Sequence, residues 1–186
     1  IKRVNYNLIE TPVAFFVYNR PTHTMKALTA LSKNIQFNKT KLFIYCDGSK
    51  SDEDINDVKA VAKIIENFDY PIKPEIIKRE NNFGLSKNII LGIEETFRIS
   101  DRLIVLEDDI VTSPYFLNFM NDALSKYEQN KNVWHVSGWN YPLKLNENEV
   151  DFDVFFWRVM NCWGWGTWKD RWSSFEKNPK LLIKNW

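Results

Sequence analysis

Pro12-Val-Ala-Phe-Phe-Val-Tyr18, Lys41-Leu-Phe-Ile-Tyr-Cys46 and Leu103 to Leu106 are short, nearly continuous apolar runs, each followed by polar residues and then by apolar residues at helical spacing. A strand sandwiched between two helical layers has this pattern because both its faces are buried, whereas a strand with one wet face alternates. After the first run, Asn19-Arg20-Pro21 breaks the strand, Pro21 suits a first helical position, and Met25, Leu28 and Leu31 mark an apolar face. After the second, Asp47-Gly48-Ser49 is a turn, Ser51 and Asp54 form a capping-box pattern, and Ile55, Val58, Ala62 and Ile65 follow. Ile72 to Lys78 reads as a third strand, the Glu80 to Gly84 loop leads to a helix carrying Leu85, Ile89, Ile93 and Phe97 with Ser86 near its start, and Leu103 to Leu106 is the fourth strand. Ser113-Pro114 then opens a helix with Phe116, Leu117, Met120 and Leu124 on one face, and Val133 to Val136 is a fifth strand. Repeated strand-helix units with short connections predict an α/β fold: a doubly wound, Rossmann-like, mainly parallel sheet with helices on both faces and a ligand crevice beyond the carboxyl ends of its strands.

Three polar groups fall at those ends: Tyr18-Asn19-Arg20, Asp47-Gly48 and Glu107-Asp108-Asp109. The last is the most demanding. Three adjacent carboxylates repel one another and resist desolvation, so at the mouth of a sheet they call for a cation or a set of hydroxyl donors. Adjacent residues on an extended chain point opposite ways, so Asp108 and Asp109 share one ion only if the chain turns between them. Otherwise one carboxylate holds Mg²⁺ or Mn²⁺ and another accepts hydrogen bonds from ribose. Asp47 suits a nucleobase N–H or a ribose hydroxyl as well as a turn, and Arg20 suits a base or diphosphate as well as a surface ion pair.

Net charge is +1, from 25 Lys+Arg against 24 Asp+Glu, with no basic block, which argues against a nucleic-acid partner. Cys46 and Cys162 are the two cysteines, without a CxxC, and with two isolated histidines they exclude a zinc framework and favour a reducing compartment. No apolar run reaches the roughly 18 residues of a membrane span. GxGxxG, GxxxxGK[ST], GxSxG and HExxH are all missing, so any phosphate here relies on metal. The 186 residues suit one domain, and the start at Ile1 and stop at Trp186 suggest a fragment.

Residues 1–145 read as the ligand-binding α/β part, and 146–186 as an aromatic-rich segment of the same domain. Five of the eight tryptophans lie between Trp157 and Trp172. Indole faces with interspersed glycines suit either a platform for sugar rings or a tryptophan-rich core.

Pro12-Val-Ala-Phe-Phe-Val-Tyr-Asn-Arg-Pro21, Asp47-Gly48, Asn82-Phe-Gly84, Leu106-Glu-Asp-Asp-Ile110 and Gly164-Trp165 resemble, in order and spacing, the motifs of GT-A fold glycosyltransferases. The chain looks most like the N-acetylglucosaminyltransferase I type and similar bacterial sugar transferases, over residues 11–172. The resemblance implies a nucleotide-sugar donor, with UDP-sugar preferred, and a Mn²⁺ or Mg²⁺ ion on Asp109. It implies Glu107 and Asp108 on ribose and diphosphate, and Asp47 and Arg20 on the nucleobase. Tyr18, Asn19, Gly84 and Lys87 complete the expected donor site, and Trp163, Gly164, Trp165 and Trp168 form part of the sugar and acceptor pocket. The eukaryotic relatives keep an acidic pair before a tryptophan after the Gly-Trp segment as general base. The corresponding stretch here ends Lys184-Asn185-Trp186 without an acid, leaving Asp170 or Asp153 as replacements, or a base beyond the chain end.

The expectation is thus an inverting, metal-dependent transfer of a hexosyl or N-acetylhexosaminyl group to a glycan or lipid-linked acceptor, in the cytoplasm or at the membrane periphery. A sugar nucleotidyltransferase and a non-catalytic carbohydrate- or phosphate-binding domain are the alternatives. The former calls for a glycine-rich basic loop after the first strand, where Tyr18-Asn-Arg-Pro21 stands instead.

Overall fold

A computed structural model of the chain describes residues 10–142 and 154–184. In chain order the strands are β1 (Glu10–Val17), β2 (Thr40–Cys46), β3 (Glu75–Lys78), β4 (Arg102–Glu107), β5 (Val136–Ser137) and β6 (Trp165–Trp168). The helices are α1 (Pro21–Ser32), α2 (Ile55–Asn67), α3 (Leu85–Thr96), α4 (Phe116–Tyr127), α5 (Lys169–Trp172) and α6 (Pro179–Lys184). One six-stranded sheet runs β3-β2-β1-β4-β6-β5. The pairings of β1 with β2 and β4, and of β2 with β3, are parallel, whereas β6 is antiparallel to both β4 and β5.

Alternation along the buried strands divides the core in two. Val13, Phe15 and Val17 of β1 pack with Leu28 and Leu31 of α1, Val61 and Ile65 of α2, and Leu117, Met120 and Leu124 of α4. Ala14 and Phe16 face the other way, toward Ile93 and Phe97 at α3, with Tyr45, Val105 and Trp165. Each buried Val, Leu, Ile, Phe or Met among them contributes about 1.5–3 kcal/mol by leaving water. The predicted strands and the α4 face are thus present, and the helices lie on both faces of the sheet.

Several details differ from expectation. Met25 is exposed, and Thr24 and Ala27 take the inner face of α1 beside Leu28 and Leu31. Ser51 does not begin α2. The Asp54 carboxylate accepts from the Ser51 main-chain N–H at 3.2 Å, which is half of the expected capping box, and the helix starts at Ile55. Leu85 opens α3 but stays exposed, the third strand shrinks to four residues, and the fifth is a two-residue strand that meets the expected run only at Val136. The largest difference is β6. Residues assigned to the acceptor side supply a strand in the middle of one half of the sheet, between β4 and β5. Gly166 permits it, since a Cβ there would lie 2.9 Å from the Leu103 carbonyl oxygen.

Candidate active site

The adjacent strands β2, β1 and β4 deliver their carboxyl-end residues to one crevice. Val17 is in register with Cys46 and Phe16 with Glu107, so Tyr18 to Arg20, Asp47, and Glu107 to Asp109 all emerge along this edge. The chain does turn between the aspartates, closed by the Ile110 N–H donating to the Glu107 carbonyl at 3.1 Å. Asp108 therefore points inward, with its side chain 4% exposed, while the Asp109 side chain is 44% exposed.

Arg20 crosses from β1 to both. Its Nη2 donates to Asp108 Oδ1 and its Nη1 to Asp109 Oδ2 at 3.1 Å. The Tyr18 main chain also favours the ionised form of Asp108, yet Asp108 Oδ2 is buried and completes no hydrogen bond. Burial holds the Asp108 carboxyl above the usual carboxylate range, with Arg20 pulling it back. Glu107 is likewise raised, first by burial and then by Asp109 and Asp108. A buried carboxylate oxygen without a donor beside an exposed carboxylate suits a hard divalent cation. Among the described residues no group of three or more His, Cys, Asp or Glu side chains is arranged to hold a metal. An ion on Asp109 and Asp108 would thus draw its remaining ligands from water and ligand oxygens, as Mg²⁺ and Mn²⁺ accept.

Asp47 is occupied within the chain. Its Oδ1 accepts from the Gly48 and Phe83 N–H groups at 3.0 and 2.9 Å, and its Oδ2 from the Gly84 N–H at 2.9 Å and Asn82 Nδ2 at 3.3 Å. All four acceptor directions of the carboxylate are used. The structure therefore places Asp47 as the residue that holds the 82–84 loop against β2, rather than as a free acceptor for a base. Gly84 adopts φ +75°, a left-handed value natural to glycine, just before α3. The residues Asn82-Phe83-Gly84 matter through this contact. Asp47→Ala is expected to leave those amides unpaired, lowering stability by about 2–4 kcal/mol and accelerating hydrogen exchange at Phe83 and Gly84. Unchanged exchange at both amides would remove Asp47 from this role.

Arg79 backs the same loop, with no signal in the sequence to mark it. Its guanidinium meets both Glu95 carboxylate oxygens at 3.0 Å, its Nε donates to Asn88 Oδ1 at 3.1 Å, and it lies 5.4 and 5.3 Å from the Tyr45 and Phe83 ring centres. Lys87 Nζ sits 4.6 Å from the Phe83 ring centre. Tyr18 bonds the Asp54 carboxylate. Burial and that bond push its phenol up to about 12, so it stays protonated and ties the end of β1 to the approach to α2. Asn19 is half-buried beside it.

The tryptophan platform does not form as expected. Trp165 and Trp168 are 6% and 1% exposed and pack into opposite layers of the core, because they alternate along β6. Gly164 is buried at φ +71°, and its carbonyl accepts from the Gly138 N–H at 2.8 Å, so it joins β6 to the chain after β5. Trp163 alone of the four projects, half exposed, in edge contact with Trp139 at 4.4 Å between ring centres. Trp139 and Tyr141, missed in the sequence, line with Trp157 a cleft of about 1570 Å³ that reaches Glu107.

Asp170 cannot serve as general base at this crevice. Trp168 pairs with Arg102 at the start of β4, so Asp170 follows at the opposite edge of the sheet. There Lys131, at 2.7 Å, and Arg171, at 2.9 Å, hold its carboxyl at about 2. Asp153 lies outside the described residues.

No protein-family model and no curated protein matches the chain. Solved structures resemble it in fold. The first 349 residues of Staphylococcus aureus TarS match with a TM-score of 0.50 at 14% identity, over 73% of this chain and 39% of that one. The same TarS segment in complex with UDP matches with 0.49 at 14%, over 73% and 38%. A mannosyltransferase, PcManGT from Pyrobaculum calidifontis, in complex with GDP-Man and Mn²⁺, matches with 0.49 at 13%, over 74% and 37%. The chain thus spans less than two fifths of the length of these structures. It has the GT-A type of fold, a mostly parallel six-stranded sheet flanked by helices. Among the described residues no helix is long and apolar enough to cross a membrane.

Proposed function

We propose that this chain is the donor-binding part of a metal-dependent glycosyltransferase that moves a sugar from a nucleotide diphosphate sugar to an acceptor hydroxyl, with inversion. The carrying observation is the buried, unpartnered Oδ2 of Asp108 beside the exposed Asp109 at the carboxyl edge of the sheet. Asp109, with Asp108 behind it, would hold Mn²⁺ or Mg²⁺, which would supply positive charge against the diphosphate leaving group. Arg20 offers the same anion a planar pair of donors. The sugar and nucleoside lie along the β2-β1-β4 edge, walled by Tyr18 and by the loop that Asp47 and Arg79 hold. The acceptor enters from the aromatic cleft at Glu107, past Trp139, which Trp163 backs, Tyr141 and Trp157. The resemblance of Leu106-Glu-Asp-Asp-Ile110 and Asn19-Arg-Pro21 to sugar transferases of the N-acetylglucosaminyltransferase I type supports this reading, and a UDP-linked hexose or N-acetylhexosamine is the preferred donor.

Thermal melting with UDP and with GDP, each with and without Mn²⁺, tests it. A nucleotide at 100 times its dissociation constant adds about 2.7 kcal/mol, which for a chain of this size raises Tm by roughly 5–10 °C. The rise is expected only when nucleotide and Mn²⁺ are both present. Equal rises without metal would overturn the proposal.

A further inference from the structure

Arg20 is the one cation that meets both aspartates of the crevice among the ion pairs of the described residues. It sits at the end of β1, just before Pro21 sets the first turn of α1, so its backbone is held between a core strand and a helix. Its side chain is 43% exposed, and it reaches across the β1/β4 groove to Asp108 Oδ1 and Asp109 Oδ2. The resemblance would send this residue to a nucleobase, but its guanidinium is turned toward the carboxylates that a cation would use.

From this geometry we infer that Arg20 is a counter-charge that a divalent cation must displace from Asp109, so that metal and diphosphate bind each other's protein far better together than apart. The inference rests on the proposed donor site. Two positive groups cannot share Asp109 without repulsion, since a guanidinium 3.1 Å from the carboxylate stands within a few ångströms of any ion on that oxygen. Asp108 differs. Its side chain is 4% exposed against 44% for Asp109, so giving up the guanidinium there would leave a buried charge unpaired, whereas at Asp109 water and the ion replace it. Release of Asp109 frees the Nη1 side of the fork, and a diphosphate oxygen matches that vacated donor in charge and planarity. Arg20 thus acts through Asp109 as a positioning residue. It holds the crowded carboxylates together and makes the affinity for metal depend on the anion that accompanies it. Such coupling is reciprocal: whatever factor the diphosphate adds to metal affinity, metal adds to diphosphate affinity.

Titration calorimetry of the chain, Arg20→Met, Arg20→Lys and Asp109→Asn separates the possibilities, using Mn²⁺ alone, UDP alone, and each in the presence of the other. Arg20→Met is expected to bind Mn²⁺ alone about tenfold or more tighter than the unaltered chain, to bind UDP alone more weakly, and to lose coupling between the two by a similar factor. Arg20→Lys, which keeps charge but not the fork, should fall between. A residue with a merely structural role would weaken every one of these affinities, and tightening of metal alone is the readout it cannot produce. Unchanged or weaker Mn²⁺ binding by Arg20→Met, with metal-dependent UDP binding intact in the unaltered chain, would overturn the inference while leaving the donor site standing. If Asp109→Asn matched the unaltered chain in every titration, the donor site itself would fall, and the role of Arg20 with it.

Discussion

Asp109→Asn is expected to lower Mn²⁺-dependent UDP affinity by about a hundredfold or more, roughly 2.8 kcal/mol, while leaving the melting temperature of the unliganded chain within about 2 °C. Both halves follow from where the side chain stands. It is half exposed, and its one ion pair, with Arg20, is of the kind that contributes at most about 1 kcal/mol. Removing one of three crowded carboxylates also relieves repulsion on Asp108 and Glu107, both already held above the usual carboxylate range by burial. Asp108→Asn would be a poorer test. That side chain is buried with Arg20 donating to it, so neutralising it breaks a pair inside the fold and confounds stability with binding, even though Arg20 keeps Asp109. Calorimetry with UDP and Mn²⁺, run beside a melt without ligand, measures the two quantities independently. Binding as tight as that of the unaltered chain would remove Asp109 from the metal site.

The parallel half of the sheet was legible because its strands are buried on both faces. Ala14 and Phe16 are as apolar as Val13, Phe15 and Val17, and only a sheet between two helical layers asks for that. Turn and cap chemistry likewise put Arg20, Asp47 and the acidic triplet at strand ends, and the register confirms that they share an edge. What one-dimensional pattern could not supply is which way a side chain turns once there. Beside its turn bond from Gly48, Asp47 is spent on the main-chain amides of residues 36 and 37 positions away, and Arg20 on residues 88 and 89 positions away, contacts that leave no local trace. The tryptophans failed for a different reason. Trp-Gly-Thr-Trp has too few residues to show strand periodicity, and an indole is as much at home in a core as on a sugar platform, so composition alone left Trp165 and Trp168 open. Their antiparallel pairing with β4 decided it, and it carried Asp170 to the wrong end of the sheet for catalysis.

That same far end bears the largest expected stability effect. Arg171 is 4% exposed on its side chain, stacks 4.2 Å from the Trp168 ring centre, and directs Nη2 to the carbonyls of Tyr127, Glu128 and Asn130 at 3.2, 2.7 and 3.2 Å. The Tyr127 and Glu128 carbonyls lie at the end of α4, where a helix carries the negative end of its dipole, and Asn130 follows in the turn beyond it. A single guanidinium therefore closes α4 and fastens it to β6 from beneath. Arg171→Met keeps much of the apolar stem over Trp168 but removes every donor, and is expected to destabilise the chain by about 3–5 kcal/mol, a fall in Tm of roughly 10 °C or more. Asp170→Asn is the control. Its carboxylate is half exposed, its pair with Lys131 lies at the surface, and Arg171 keeps its carbonyl partners without it, so its loss should cost about 1 kcal/mol or less. Urea unfolding of the two variants followed by circular dichroism makes the comparison. If Asp170→Asn proved as damaging as Arg171→Met, the ion pair rather than the closed helix end would be what holds α4 to the sheet.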